Sequence, residues 1–288
     1  MQTDTAIAYP KVKQVKPKIV WHGVWQILTM PFILFILLPI LALFFRLTPA
    51  DFIQSLNETQ AFQAIRLSIS TSIITVCITL LLGTPVAYFI SKRTSPYHRL
   101  IDVLIDLPTV LPPSVAGVAL LMAFGRQGLV GSWLNSLGIS IPFTTAAVVM
   151  AQTFIAAPLY IKSAMLGFNE IDCEYKKAAA LDGANRWQIF RYIMLPMSRT
   201  SLISGSILTW VRALGEFGAT IIFAGNFPGR TQTMPLAIYL GFEIDIKVAL
   251  TLSVILIVFS FLVLIILKSF LHYRQDIFIE DVSESANW

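Results

Sequence analysis

Arg212 and Glu216 stand four residues apart inside an otherwise apolar stretch, and no other pair in the sequence has a clearer capacity for chemistry. An ionisable side chain at membrane depth costs about 2.5–3.5 kcal/mol on insertion scales, so such residues face protein or a water-filled cavity. Pairing at i, i+4 offsets part of that cost. Two readings stay open: a pair that lines or gates a path for solute, or a structural tie between helices. A second set, Ser68, Ser70, Thr71, Ser72, Thr75 and Thr79, could offer hydroxyls to an oxyanion or satisfy carbonyls one turn back. Catalysis finds no foothold. No acids, bases and nucleophiles converge, and no G-x-x-x-x-G-K-[ST] phosphate loop occurs. Cys77 lies in an apolar run and Cys173 in a polar one, which disfavours a disulfide or a metal pair. His22, His98 and His272 are isolated near the ends of apolar stretches and read as interfacial residues. We expect no catalytic residue, metal or cofactor in this chain.

The elements that must position these residues are set by composition. The chain has 288 residues, 56% hydrophobic and 13% charged, against about 25% charged in a soluble domain. So little charge cannot cover a water-facing surface, and lipid must be the solvent for much of the chain. The net charge of +5 is better read through the positive-inside rule than as a nucleic-acid footprint. A span needs about 20 apolar residues. Six stretches qualify: Ile27–Phe45, Leu67–Ile90, Leu107–Phe124, Phe143–Ile161, Thr200–Ala224 and Val248–Leu267. Pro108, Pro112 and Pro113 remove backbone donors from the third and predict a broken helix there. The fold class is an all-α membrane protein of about six transmembrane helices.

The first apolar stretch is too long for a signal-peptide core and reads as an uncleaved span. Lys92, Arg93 and Arg99 follow the second stretch, the N-terminal tail is basic, and the other set of short loops has little net positive charge. That asymmetry puts both termini in the cytoplasm of a multi-pass inner-membrane protein. The expected organisation is a cytoplasmic tail over 1–26, a transmembrane domain over 27–268 and a second cytoplasmic tail over 269–288.

On this orientation the longest cytoplasmic loop contains residues 169–196. Asn169 with Asp172 reads as an N-cap and its reciprocal acid, opening a helix through Tyr175, Ala178 and Ala179 that stops at Gly183. Asn185 with Gln188 opens a second helix through Trp187, Phe190 and Ile193 to Pro196. Such a knob suits a partner's groove, or lies on lipid headgroups with Trp187 and Phe190 as anchors.

The spacing favours the groove. Lys177-Ala178-Ala179-x-x-x-Gly183, nine residues, then Ile193-x-Leu195-Pro196 resembles the pattern E-A-A-x3-G-x9-I-x-L-P of the cytoplasmic loop in ATP-binding-cassette (ABC) transporter permeases. Lys177 replaces the leading Glu. The run from Ala213 to Asn226, its continuation to Tyr239, and Leu107–Gly117 resemble the molybdate/sulfate oxyanion importer family, with wording most like its molybdate permeases. The resemblance implies the type I importer permease fold. It implies an ATPase subunit docked on Lys177, Ala178, Ala179, Gly183, Ile193, Leu195 and Pro196, an extracytoplasmic substrate-binding protein, and a permease homodimer. Sulfate or thiosulfate import is the alternative within that family; a secondary transporter or channel would show inverted repeats, and none is evident.

Overall fold

The computed structural model describes residues 20–91 and 96–285, with side chains described over 29–91 and 96–269. Lys92, Arg93, His22, His272 and most of both tails therefore lie outside the described residues or side chains. Among the described residues the chain is helical throughout. Helix α1 is Val20–Arg46, α2 Pro49–Leu56, α3 Thr59–Ser91, α4 Pro96–Val110, α5 Pro113–Phe124, α6 Gly131–Ser136 and α7 Thr145–Asn169. Helix α8 is Cys173–Leu181 and α9 Arg186–Ile189; a π-helical turn over Phe190–Met194 leads into α10, Leu195–Met197. The last four are α11 Arg199–Leu214, α12 Gly218–Phe223, α13 Met234–Ile244 and α14 Ile246–Ser285.

Helix α1 belongs to the first of two compact units. It is apolar around its whole circumference, as a helix solvated by lipid should be. The second unit, from Leu47 onward, holds the rest.

Among the described residues, four helices are long and apolar enough to cross a membrane: Thr29–Arg46, Thr59–Ser91, Thr145–Asn169 and Ile246–Ser269. Helices α4 and α5 together make a fifth, bent by 115°. The bend falls at Leu111 and Pro112, where the prolines predict a break. The fifth expected stretch, Thr200–Ala224, is divided instead of continuous. Helix α11 ends at Leu214 with Gly215 as its C-cap, and α12 starts at Gly218.

Helix α7 is central to the second unit, packed against α3 on one side and α11 on the other. Small residues make that approach close: a Cβ on Gly205 would lie 2.7 Å from Ser163 Cβ, and one on Gly167 would lie 2.6 Å from Ser201 Cβ. Ser163 Oγ also donates to the Ser201 carbonyl at 2.6 Å. Overpacking a filled interior costs about 1–3 kcal/mol. Gly205→Leu should therefore lower the melting temperature in detergent by several degrees, whereas Ile203→Ala on the exposed face of α11 should not.

At the first turn of α14, Lys247 Nζ donates to Asp51 Oδ1 at 2.7 Å and ties α2 to that helix. That hydrogen bond, with one from Thr48, holds the Asp51 carboxyl below its ordinary range. The tie is present at neutral pH and is lost only as pH falls through the depressed value.

Candidate functional site

The loop between α7 and α11 is built in two halves with different anchoring. Asn169 is the last residue of α7 rather than an N-cap, because the apolar sequence of α7 carries the helix through Phe168. The cap of α8 is Asp172, whose side chain accepts from the Glu174 amide at 3.1 Å. Helix α8 contains no buried residue. Leu181 is 89% exposed at its end, and Lys177 and Ala178 are exposed, with Ala179 half-buried.

Gly183 ends α8 as its position predicts, at φ +85°. The Ala184 amide donates to the Ala179 carbonyl at 3.0 Å and the Gly183 amide to the Ala180 carbonyl at 3.2 Å. This is the six-to-one and five-to-two pattern of a Schellman turn, which needs a left-handed residue. The reciprocal cap of α9 forms as expected: the Gln188 amide donates to Asn185 Oδ1 at 2.9 Å, and the Asn185 amide to Gln188 Oε1 at 2.8 Å. Pro196 does not stop the helical course; it lies within α10, the short helix that follows the π-helical turn. That register shift is the kind of irregularity that accompanies a residue unable to donate to the preceding turn.

The second half is fixed to the core. Met194 is buried, and it packs with Tyr160, Ile161, Ala164 and Phe168 of α7 and with Phe190. The Phe190 ring lies 4.6 Å from Tyr88. Phe190 is thus spent on the protein interior and is not a lipid anchor. Between the halves, Asp182, Gly183, Gln188, Tyr192 and Ile193 help line an open cleft of about 290 Å³. Ile193 and Leu195 are half-buried and Pro196 is exposed. The loop is a base held against the core, carrying a short helix in which no residue is buried.

Arg212 and Glu216 do meet, with Arg212 Nη1 2.8 Å from Glu216 Oε2. The pair is not carried on one helix, since Glu216 lies beyond the end of α11. Its side chain is 1% exposed, against 36% for Arg212. The other carboxylate oxygen, Oε1, accepts from the Ala219 amide at 2.9 Å and caps α12. Glu216 therefore holds both ends of the break. Next to it, a Cβ on Gly218 would lie 2.7 Å from Pro113 Cβ, so this break abuts the α4–α5 bend.

The hydroxyl stripe of α3 serves packing. Thr71 donates to the Leu67 carbonyl, Ser70 to Leu67 and Ser72 to Ile69, all within the helix. Ser72 Oγ also accepts from Trp210 Nε1 at 3.0 Å, Ser68 Oγ accepts from the Met234 amide at 2.7 Å, and Thr75 reaches Gln152 Oε1 at 3.1 Å. Thr79 is buried without a hydrogen-bond partner. These groups join α3 to α7, α11 and α13. Cys77 and Cys173 are both free, and His98 is buried on α4 with its ring 5.0 Å from that of Phe89.

Sequence reasoning missed one cluster. Lys162 Nζ of α7 lies 2.6 Å from Asp102 Oδ1 and 2.8 Å from Asp106 Oδ2 of α4. The two carboxylates stand four residues apart on α4. Their i, i+4 spacing, which is repulsive without a cation between them, was the available signal.

Residues 79–276 match the family described as binding-protein-dependent transport system inner membrane component. The chain is similar to the probable transport system permease protein NifC of Clostridium pasteurianum, at 37% identity over 86% of this chain and 87% of that protein. It is likewise similar to the molybdenum transport system permease protein ModB of Mycobacterium bovis, at 39% identity over 81% of this chain and 88% of that protein. A solved bacterial ABC transporter involved in the import of the acidic polysaccharide alginate shares the fold. Its TM-score is 0.70 at 15% identity, covering 90% of this chain and 96% of that one.

Proposed function

We propose that this chain, which belongs to the family of binding-protein-dependent transport system inner membrane components, is the permease subunit that carries molybdate through the membrane. It is a multi-pass transport subunit rather than a catalytic one. The observation that carries the choice of cargo is the 39% identity, over most of both chains, to a permease named for molybdenum transport. The cargo is tested by uptake of labelled molybdate and labelled sulfate into vesicles holding the permease, its ATPase and its cognate binding protein. Molybdate uptake that excess sulfate fails to suppress is the expected result; preferential sulfate uptake overturns the assignment.

In this reading a separate ATP-binding-cassette subunit hydrolyses ATP and receives α8 in a cleft. Lys177, Ala178, Ala179 and Gly183 then belong to the exposed half of the dock, and Ile193, Leu195 and Pro196 to its base. What supports this is the contrast between an α8 with nothing buried and a second half held by Phe190 and Met194. Both termini and this loop face the cytoplasm, two copies of the permease form the pathway, and an extracytoplasmic binding protein delivers the anion. Arg212 and Glu216 divide the remaining work. Glu216 holds the α11–α12 break in register, and the half-exposed Arg212 presents its other guanidinium N–H groups toward the path of the anion.

A further inference from the structure

We propose that Lys162 is a positioning residue for transport, the strut through which the docking loop moves the α4–α5 bend. The inference rests on the docking reading of the loop.

Helix α4 is thinly held. Among its residues only His98 is buried, while Leu100, Val103, Leu104 and Leu107 are exposed. Its apolar attachment is Ile105, packed against the cluster around Tyr160 and Phe168. At its C-terminal end comes the 115° bend, so α4 can pivot there as a rod. What fixes the rod to α7 is charge: one ammonium bridges two carboxylates a helical turn apart on α4. Without that cation the two carboxylates repel along the same helix face. All three side chains are half-buried, so the bond is exchangeable on the timescale of transport in a way that the α3–α7 packing is not.

On the other side, Lys162 is rigidly joined to the loop. It lies seven residues before the end of α7, about 10 Å along the axis. Tyr160, Ile161, Ala164 and Phe168 around it share one cluster with Phe190 and Met194 of the loop. Displacement of the loop therefore displaces Lys162, and Lys162 pulls on Asp102 and Asp106. The rod turns at the bend, and Pro113 bears on Gly218 beside Glu216 and Arg212. The ion triad is the one exchangeable link in this series among the described residues.

The test uses the complete transporter in vesicles, reading molybdate uptake and ATP hydrolysis together. Lys162→Met should lower uptake per ATP hydrolysed by about tenfold, within the range of site-to-site couplings, while the ATPase still copurifies. Lys162→Arg should keep most of the wild-type ratio, and the exchange Lys162→Asp with Asp106→Lys should recover much of it. An unchanged ratio in Lys162→Met overturns the proposal, and so does an equal fall in uptake and hydrolysis, which is what a purely structural tie predicts. If Lys162→Met does not reach the membrane, Asp106→Asn, which keeps the Asp102 bond, carries the same ratio test. Failure of the docking reading is separately visible, as ATPase copurification that is insensitive to changes in α8 and its turn.

Discussion

Replacing Gly183 with valine is expected to abolish copurification of the ATPase while the permease still inserts and extracts normally. Steric conflict is not the reason, because a Cβ at this position would meet nothing within 4 Å. The reason is backbone conformation. At φ +85° an L-residue costs about 1–2 kcal/mol, and a β-branched one more. The two Schellman hydrogen bonds that set the angle between α8 and α9 exist only in that conformation. The turn relaxes toward negative φ, α8 swings, and its exposed face no longer matches the cleft that receives it. A loss of 1.4 kcal/mol is about tenfold in affinity, so a loss of about tenfold or more is the expected reading in a pull-down at fixed concentrations. Gly183→Asn, which tolerates the left-handed region, should retain most binding. Full copurification with the valine variant would falsify the docking role assigned to this turn.

Glu216→Ala should reduce transport by more than about a hundredfold, the equivalent of roughly 3 kcal/mol, and should lower the melting temperature as well. Breaking a buried ion pair costs about 3–5 kcal/mol. The lower end applies here because Arg212, at 36% exposure, retains solvent. The geometry also separates two roles that a simple deletion confounds. Exchanging the residues, Arg212→Glu with Glu216→Arg, restores an ion pair but leaves the Ala219 amide without its acceptor. The exchange should therefore fail to recover stability, whereas Glu216→Gln keeps an acceptor for Ala219 and should be milder than alanine. Recovery of melting temperature by the exchange would show that pairing alone matters and that the cap is idle.

Most of the loop was legible from sequence because its determinants are local. Gly183 needs a left-handed turn, and Asn185 with Gln188 closes a reciprocal cap; both are set by neighbours within a few residues. Asn169 was misplaced for the complementary reason. Capping chemistry is degenerate, and the buried apolar face of α7 carried the helix past a residue able to cap. The break between Arg212 and Glu216 was not legible, since four-residue spacing fits a continuous helix. The end of α11 depends on Glu216 finding the Ala219 amide. The bond from Lys162 to Asp102 and Asp106 was hidden more deeply, because it joins residues about 60 positions apart that only tertiary packing brings together. By contrast, Pro112 and Pro113 announced the bend directly, since neither can donate to the turn before it.

That bend bears on how the chain enters the membrane during synthesis. Helix α4 has 15 residues and α5 has 12, about 22 and 18 Å of axial rise, against a hydrocarbon core about 30 Å thick. Neither half can leave the insertion machinery as an autonomous span, and carbonyls deprived of a donor by the prolines find none in lipid. The pair has to be retained until α7 has been made and its lysine can neutralise the two aspartates. Co-translational integration of this stretch is thus post-dated to a later helix, and nascent chains ending before Thr145 should leave it accessible to aqueous labelling reagents.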